Sequence, residues 1–471
     1  MDKSGYDPER FRRQGHALVD QLADYLERAT TRAPMPVLPW AEPAARLLDW
    51  PSDFSAEPSG SLPELMARVL EQSNHLHHPR YVGHQVTAPL PMAALCELAA
   101  ALLNNGMAVY EMGPVSTAME RNVIAWLGGQ LGFPPGCDGV LTSGGSAGNL
   151  TGLLAARQTK AGFDAWNEGA HGGPPLAVLA SAETHYCVKR AVQVMGWGAG
   201  GVQTVPVDAQ FRLRPEALPD ALAAAARAGR KVIGVVASAG STSTGAFDPF
   251  EPIADFCAAH DLWLHVDGAH GASAVLSPRY KPTLRGIERA DSVAWDMHKM
   301  MMMPALVTAV LFRDGKHSYA ALAQEAAYLF NTDEPWSDSA KRTLECTKRM
   351  MSLKVYAGLK LCGTRLFAEY IDYTFDLARR FAARLTAADD FELAIEPDCN
   401  IVCFRYAPPG TAASDELQRR VRRRVVESGA FYLVQTTLPR GVYLRVTLIN
   451  PLTTDADLDA LLDAVRAAAA D

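Results

Sequence analysis

The hydrophobic positions of this chain change their period several times, and the changes divide it. Between residues 7 and 28, Phe11, Leu18, Val19, Leu22 and Leu26 fall at helical spacing. Asp7 followed by Pro8 supplies a cap and a first turn, so the spacing predicts a packing helix. From Thr30 to Pro63 the rhythm stops. Seven prolines, from Pro34 and Pro36 to Pro58 and Pro63, fix φ and remove backbone donors, which predicts an extended arm lying on another surface. An arm of this kind suggests a dimer.

From about residue 90 to 330, short β-branched runs alternate with alanine-rich helical stretches; the runs include 176–180, 232–237, 262–266 and 306–312. Runs with no polar alternation are strands covered on both faces. The pattern therefore predicts an α/β fold, a mostly parallel sheet between layers of helices. Such sheets bind ligands at the carboxyl ends of their strands. A long helix is expected near 350–386, then shorter strands at 391–395, 401–406 and 442–447 and a closing helix after Asp455, which together read as a separate α+β domain. The expected division is an N-terminal helical and arm segment over 1–89, a large domain over 90–348 and a small C-terminal domain over 349–471.

Composition narrows the function classes. A chain of 471 residues can bury a sizeable core, and 48% hydrophobic with 21% charged residues is an ordinary globular balance. A formal net charge of -7 argues against nucleic acid as the main partner. The first ten residues are charged, and no apolar stretch approaches the roughly 20 residues needed to span a bilayer, so a cytoplasmic protein without a membrane partner is expected. The 8 cysteines are scattered without CxxC spacing, which points to reduced, mostly buried thiols and to no metal site or disulfide framework.

Three strand ends carry candidate chemistry. The run from Thr142 to Leu150 (TSGGSAGNL) follows one strand and opens a helix; its glycines allow close backbone approach to an anion, and the helix start offers free N–H groups. Alone it is a weak signal, since glycine-serine turns are common. His265-Val266-Asp267-Gly268-Ala269 places Asp267 at the end of a second strand, where a carboxylate can keep a pyridinium nitrogen protonated. Trp295-Asp296-Met297-His298-Lys299 ends a third and aims Lys299 at the same edge. A lysine amine forms an imine with an aldehyde cofactor, and the apolar wall Met300 to Met303 is expected to lower its pKa toward useful nucleophilicity. His185, after the strand ending near Ser181, is placed to stack on a planar cofactor.

Taken together, these residues resemble the group II pyridoxal-5'-phosphate (PLP) dependent amino-acid decarboxylases. The resemblance spans nearly the whole chain, from His78-Pro79-Arg80-Tyr81 through Tyr110-Glu111 and the Thr142 loop to Leu444-Arg445 and Asn450-Pro451, with Asp267 and Lys299 set 32 residues apart. It implies PLP fold type I (aspartate-aminotransferase-like) and a homodimer with active sites at the subunit interface. It further implies Lys299 as the amine that carries PLP, Asp267 as the partner of the ring nitrogen, His185 stacked on one ring face and Ala269 on the other. Gly145 and Ser146 match phosphate-binding positions, Ser241 a hydroxyl near the cofactor, and His298 with Lys299 the family's His-Lys pair. Arg445 matches the receiver of the substrate α-carboxylate, and Arg349 lies in the basic segment that often follows the family's mobile loop.

Two departures stand out. Asp296 occupies the place of the family's usual asparagine, where a carboxylate would repel a phosphate and is expected to turn toward another donor. The mobile loop, expected at 331–345, has no tyrosine to return a proton to the substrate; Trp336 is its only aromatic residue. His185 or a water then delivers that proton, or the enzyme follows a side reaction. The expected function is α-decarboxylation of a small L-amino acid, short and polar or acidic, with His84 as a reader of its distal group. Oxidative deamination or transamination on the same cofactor, and a noncatalytic PLP-binding protein, remain as alternatives.

Overall fold

The computed structural model describes residues 4–322, 335–410 and 413–470. The chain forms two compact units. One gathers the residues up to His84 together with Arg379–Ala394 and Val402–Asp471; the other comprises Gln85–Ala378 and Ile395–Ile401.

The larger unit is built on a 7-stranded sheet. Its strands are β1 (Asp138–Thr142), β2 (Leu176–Ser181), β3 (Val202–Val205), β4 (Lys231–Ser238), β5 (Trp263–Asp267), β6 (Ser292–Asp296) and β7 (Thr308–Phe312), in the order β1-β7-β6-β5-β4-β2-β3. The pairs from β3 to β6 are parallel, and β7 runs antiparallel to both β6 and β1. Every residue of β1, β2, β5, β6 and β7 is buried, which is why these segments read as unbroken apolar runs. The carboxyl ends of β1, β2, β4, β5 and β6 therefore share one edge of the sheet.

The helix Gly145–Lys160 starts at that edge and runs back over the sheet. It lies close because Gly152 has no side chain: a Cβ there would come within 2.5 Å of the His265 ring. His265 is fully buried and cannot swing away.

In the smaller unit the first long helix is Pro8–Thr30, capped by the Asp7 carboxylate accepting the Glu9 N–H. The helix Leu62–Gln72 begins in a Ser61/Glu64 capping box. The proline-rich arm includes one short helix, Pro43–Asp49, which tolerates its proline because that residue stands in the first turn. A second sheet has the order β10-β11-β9-β8, with β8 (Phe391–Leu393), β9 (Ile401–Tyr406), β10 (Val434–Leu438) and β11 (Gly441–Thr447). β10 was not foreseen; its exposed Gln435 and Thr437 carry no apolar alternation to betray it. The helix expected at 350–386 is interrupted: Ser352–Ala357 passes into a π turn, Gly358–Cys362, before Thr364–Ala387 begins. No helix among the described residues is long and apolar enough to cross a membrane.

Local packing predicts opposite outcomes at two helical glycines, Gly152 in the Gly145–Lys160 helix and Gly129 in the helix Pro114–Leu131. Gly152→Ala should destabilise the fold by about 1–3 kcal/mol through overpacking. Gly129, where a Cβ would meet nothing within 4 Å, should gain up to about 1 kcal/mol on substitution by alanine. Chemical denaturation of the two variants beside the wild type checks both signs.

Candidate active site

The loops that leave the shared strand edge enclose a cavity of about 460 Å³, within the size range of small-molecule sites. Every cofactor-facing residue singled out above lines it: Gly145, Ser146, His185, Ser241, Asp267, Ala269, His298 and Lys299.

At one part of the cavity the helix Gly145–Lys160 presents its first turn. Its N-cap is Gly144, and no side chain caps it, so unsatisfied N–H groups and the positive end of the helix dipole are available to an anion. A Cβ on Gly145 would lie 3.0–3.1 Å from the two Asp296 carboxylate oxygens, so the cradle leaves room for backbone only.

Asp267 is the last residue of β5 and is 9% exposed. Its Oδ1 accepts the Ala269 N–H at 3.2 Å, and no described residue donates to Oδ2. His185 caps the helix Tyr186–Val194 by accepting the Cys187 N–H at Nδ1, 3.3 Å away. A neutral ring so engaged carries its proton on Nε2. Burial lowers the His185 pKa, with Asp267 opposing, and so favours the neutral form.

Lys299 departs from the sequence expectation. Burial alone would lower its pKa, and the Met300–Met303 wall is indeed buried. The carboxylates of Asp296 and Asp267 outweigh that effect and raise it, so the amine is stored as an ammonium. Its Nζ is 3.1 Å from Asp296. Asp296 itself is 1% exposed, accepts the Thr308 hydroxyl at 2.5 Å and stands 3.6 Å from His298 Nε2. The carboxylate in the place of asparagine thus turns to a hydroxyl and an ammonium. His298 Nδ1 faces the Val307 backbone carbonyl at 2.9 Å, and the Ser241 hydroxyl lies 3.0 Å from that of Thr244.

An uncapped helix start, a carboxylate with an open oxygen, and an amine on one cavity fit the phosphate, ring nitrogen and aldehyde of PLP. Cys187 also lines the cavity, a residue the sequence reading left among inert thiols; its place two residues after His185 was the available signal. The nearest ligand atoms of His185, Cys187 and Asp267 all lie within 4.8 Å of one another. With Nδ1 of His185 already engaged and Nε2 protonated, the set suits a ring better than a metal ion.

Arg445 and His84 belong to the smaller unit, where His84 stands 5.8 Å from the Tyr432 ring and Tyr432 stacks on Tyr81 at 5.2 Å. Burial first, then the charges of Arg445 and Arg422, lowers the His84 pKa. Arg349 is a largely exposed partner of Glu97, 2.8 Å away. Of the expected loop 331–345, residues 331–334 lie outside the described residues. Of the remainder, Ser337–Ala340, Arg342 and Thr343 are buried and Leu344 is exposed, and Arg342 reaches Asp138 at 2.9 Å. The segment that the resemblance assigns to the mobile loop thus contributes side chains to buried ion pairs.

Comparison with known proteins places this geometry. Residues 51–407 match the pyridoxal-dependent decarboxylase conserved domain. The chain is 32% identical to the human cysteine sulfinic acid decarboxylase, over 95% of this chain and 94% of that protein. Among solved structures it is similar to mouse CSAD, with a TM-score of 0.90 at 28% identity, covering 98% of this chain and 99% of the other. It is similar as well to the Oryza sativa TDC crystallised with PLP and tryptamine, with a TM-score of 0.90 at 25% identity over 100% of this chain and 99% of that one. The chain therefore belongs to the pyridoxal-dependent decarboxylase family and is a carboxy-lyase of fold type I that acts on amino acids with PLP.

Proposed function

We propose that this enzyme removes the α-carboxylate of a short polar or acidic L-amino acid, of the cysteine-sulfinate, aspartate, glutamate or diaminobutyrate type, with Lys299 as the amine that holds PLP. The observation that carries the assignment is the meeting of Lys299, Asp267 and the uncapped Gly145 helix start on one cavity. The acidic preference draws support from the likeness to the human cysteine sulfinic acid decarboxylase and from the charges of Arg445 and Arg422 around His84.

When bound, PLP supplies the electron sink that takes up the pair left as carbon dioxide departs. The residues of the chain do the rest. The N–H groups at Gly145 and Ser146 hold the phosphate, with Ser241 and His298 beside them. Asp267 keeps a proton on the ring nitrogen, which maintains the pull on that electron pair. His185 and Ala269, which both line the cavity, would flank the ring. Arg445 takes the substrate α-carboxylate and His84 reads the distal group. With no tyrosine at 331–345, either a water or His185, once it has itself taken up a proton, returns a proton to Cα; the lowered pKa of His185 makes its protonated form a ready acid. The working unit is a cytoplasmic homodimer.

Incubation with a panel of common and noncanonical L-amino acids, with products identified by mass spectrometry, should give the amine of a short polar or acidic substrate. Efficient turnover confined to tryptophan or tyrosine would refute the preference. Lys299→Ala should lower kcat by about a thousandfold or more and abolish borohydride trapping of PLP.

A second outcome follows from the raised pKa of Lys299. Asp296→Asn removes the carboxylate 3.1 Å from the ammonium, so its pKa should fall and the free amine should be present at lower pH. The pH midpoint for capture of PLP by the apoenzyme, followed by absorbance, should then move down; an unchanged or higher midpoint would contradict the pairing.

A further inference from the structure

Behind the cavity, a chain of buried polar side chains crosses the large unit and ends at Cys187. The Trp263 indole N–H donates to Ser292 Oγ at 2.8 Å, and Ser292 Oγ lies 2.8 Å from His265 Nδ1. His265 Nε2 is 2.8 Å from Asn149 Oδ1, and Asn149 Nδ2–H donates to Cys187 Sγ at 3.2 Å. Trp263 and His265 belong to β5, Ser292 to β6, Asn149 to the Gly145–Lys160 helix and Cys187 to the helix His185 caps. All five residues are buried.

The direction of the chain follows from elementary donor counting. An indole N–H can only donate, so Ser292 accepts from Trp263 and spends its own proton on His265 Nδ1. His265 is neutral, because burial holds its pKa down at about 4, and therefore carries its single proton on Nε2, donating to Asn149. The Asn149 amide then donates onward to the sulfur. The reverse order would leave the Ser292 hydroxyl proton without an acceptor in this chain. The sulfur accepts from Asn149 and stands beside Asp267, its distance to the carboxylate within 4.8 Å, as a neighbour of the carboxylate and not as a hydrogen-bond donor to it. Burial and the neighbouring Asp267 push the thiol pKa up to about 12, so it stays neutral instead of becoming a second anion.

We propose that Cys187 is a positioning residue for Asp267: the last member of an oriented buried hydrogen-bond chain, it fixes the carboxylate that serves the ring nitrogen of PLP without taking its charge. The inference rests on the PLP assignment above. A hydroxyl could replace the thiol as the acceptor from Asn149 and as a small neutral dipole beside Asp267, whereas a methyl group could replace it in neither role.

The test uses the full-length enzyme stripped of PLP and titrated with it, occupancy being read by absorbance. Cys187→Ala should weaken PLP binding roughly tenfold, the scale of one lost buried hydrogen bond, and Cys187→Ser should restore most of it. The apoenzyme melting temperature of Cys187→Ser should stay at the wild-type value. Ser292→Ala, at the far end of the chain, should weaken PLP binding to a smaller degree, which keeps the idea testable if Cys187→Ala fails to fold. Unaltered PLP affinity in Cys187→Ala, or a loss that serine does not repair, would overturn the role. If PLP were trapped on an amine other than Lys299, the PLP assignment itself would fall; if it is trapped on Lys299 and Cys187 has no effect, only this inference does.

Discussion

A single buried carboxylate, that of Asp296, sets the geometry on which the site depends. At 1% exposure it would be costly alone, and the Thr308 hydroxyl at 2.5 Å and the Lys299 ammonium at 3.1 Å offset that cost. The same group ties the tip of β6 to the first residue of β7 and decides where the lysine points. Its oxygens also lie 3.0–3.1 Å from where a Gly145 Cβ would be, so it limits what can stand at the start of the cradle helix. The amine and the anion cradle are thus positioned by one side chain. A lysine kept as a paired ammonium costs less to bury than an unpaired one, and it must give up its proton before it can act as a nucleophile.

The helix that ends in the cradle is held by sterics and by polarity together. Gly152 lets it approach the sheet until His265 fills the space, and the Asn149 to His265 bond at 2.8 Å then fixes its rotation. Apolar packing alone would tolerate a small slide along the sheet. A fully satisfied buried network tolerates none, since each shift would strand a donor in a region of low dielectric. Polar residues in this core therefore serve the placement of a helix N-terminus more than they serve net stability.

The sequence makes the layered fold and the cofactor-facing side chains readable for a physical reason: parallel strands buried on both faces write unbroken apolar runs, and the residues just past those runs share one edge. Asp267, Lys299, His185 and Gly145 could be placed by that rule. What the rule does not supply is pairwise geometry. The ammonium state of Lys299 depends on Asp296 turning inward, which no spacing encodes, and the apolar methionines beside it pointed the other way. Cys187 stayed hidden because its significance comes from Asn149, 38 positions earlier in the chain, reaching its sulfur. β10 and the π turn at Gly358–Cys362 were missed because neither carries a periodic signal of its own.

The segment that follows the undescribed residues shows the same dependence on pairing. Arg342, 4% exposed, reaches Asp138 at the start of β1, which Arg121 also holds at 2.6 Å. Near the end of the same strand, Glu120 accepts both the Leu141 N–H at 3.0 Å and the Lys348 ammonium at 2.5 Å, while Lys348 donates to the Leu141 carbonyl. Glu345 then accepts the Ser143 hydroxyl at 2.8 Å, two residues before the cradle. Burial lowers the Lys348 pKa and Glu120 opposes it, the balance expected of a pair whose desolvation cancels much of its attraction. Such pairs add little net stability. They do require one register, so residues 342–348 can lie along β1 in only one way, and the entrance to the cavity at Ser143 is fixed by the same contacts that anchor the strand.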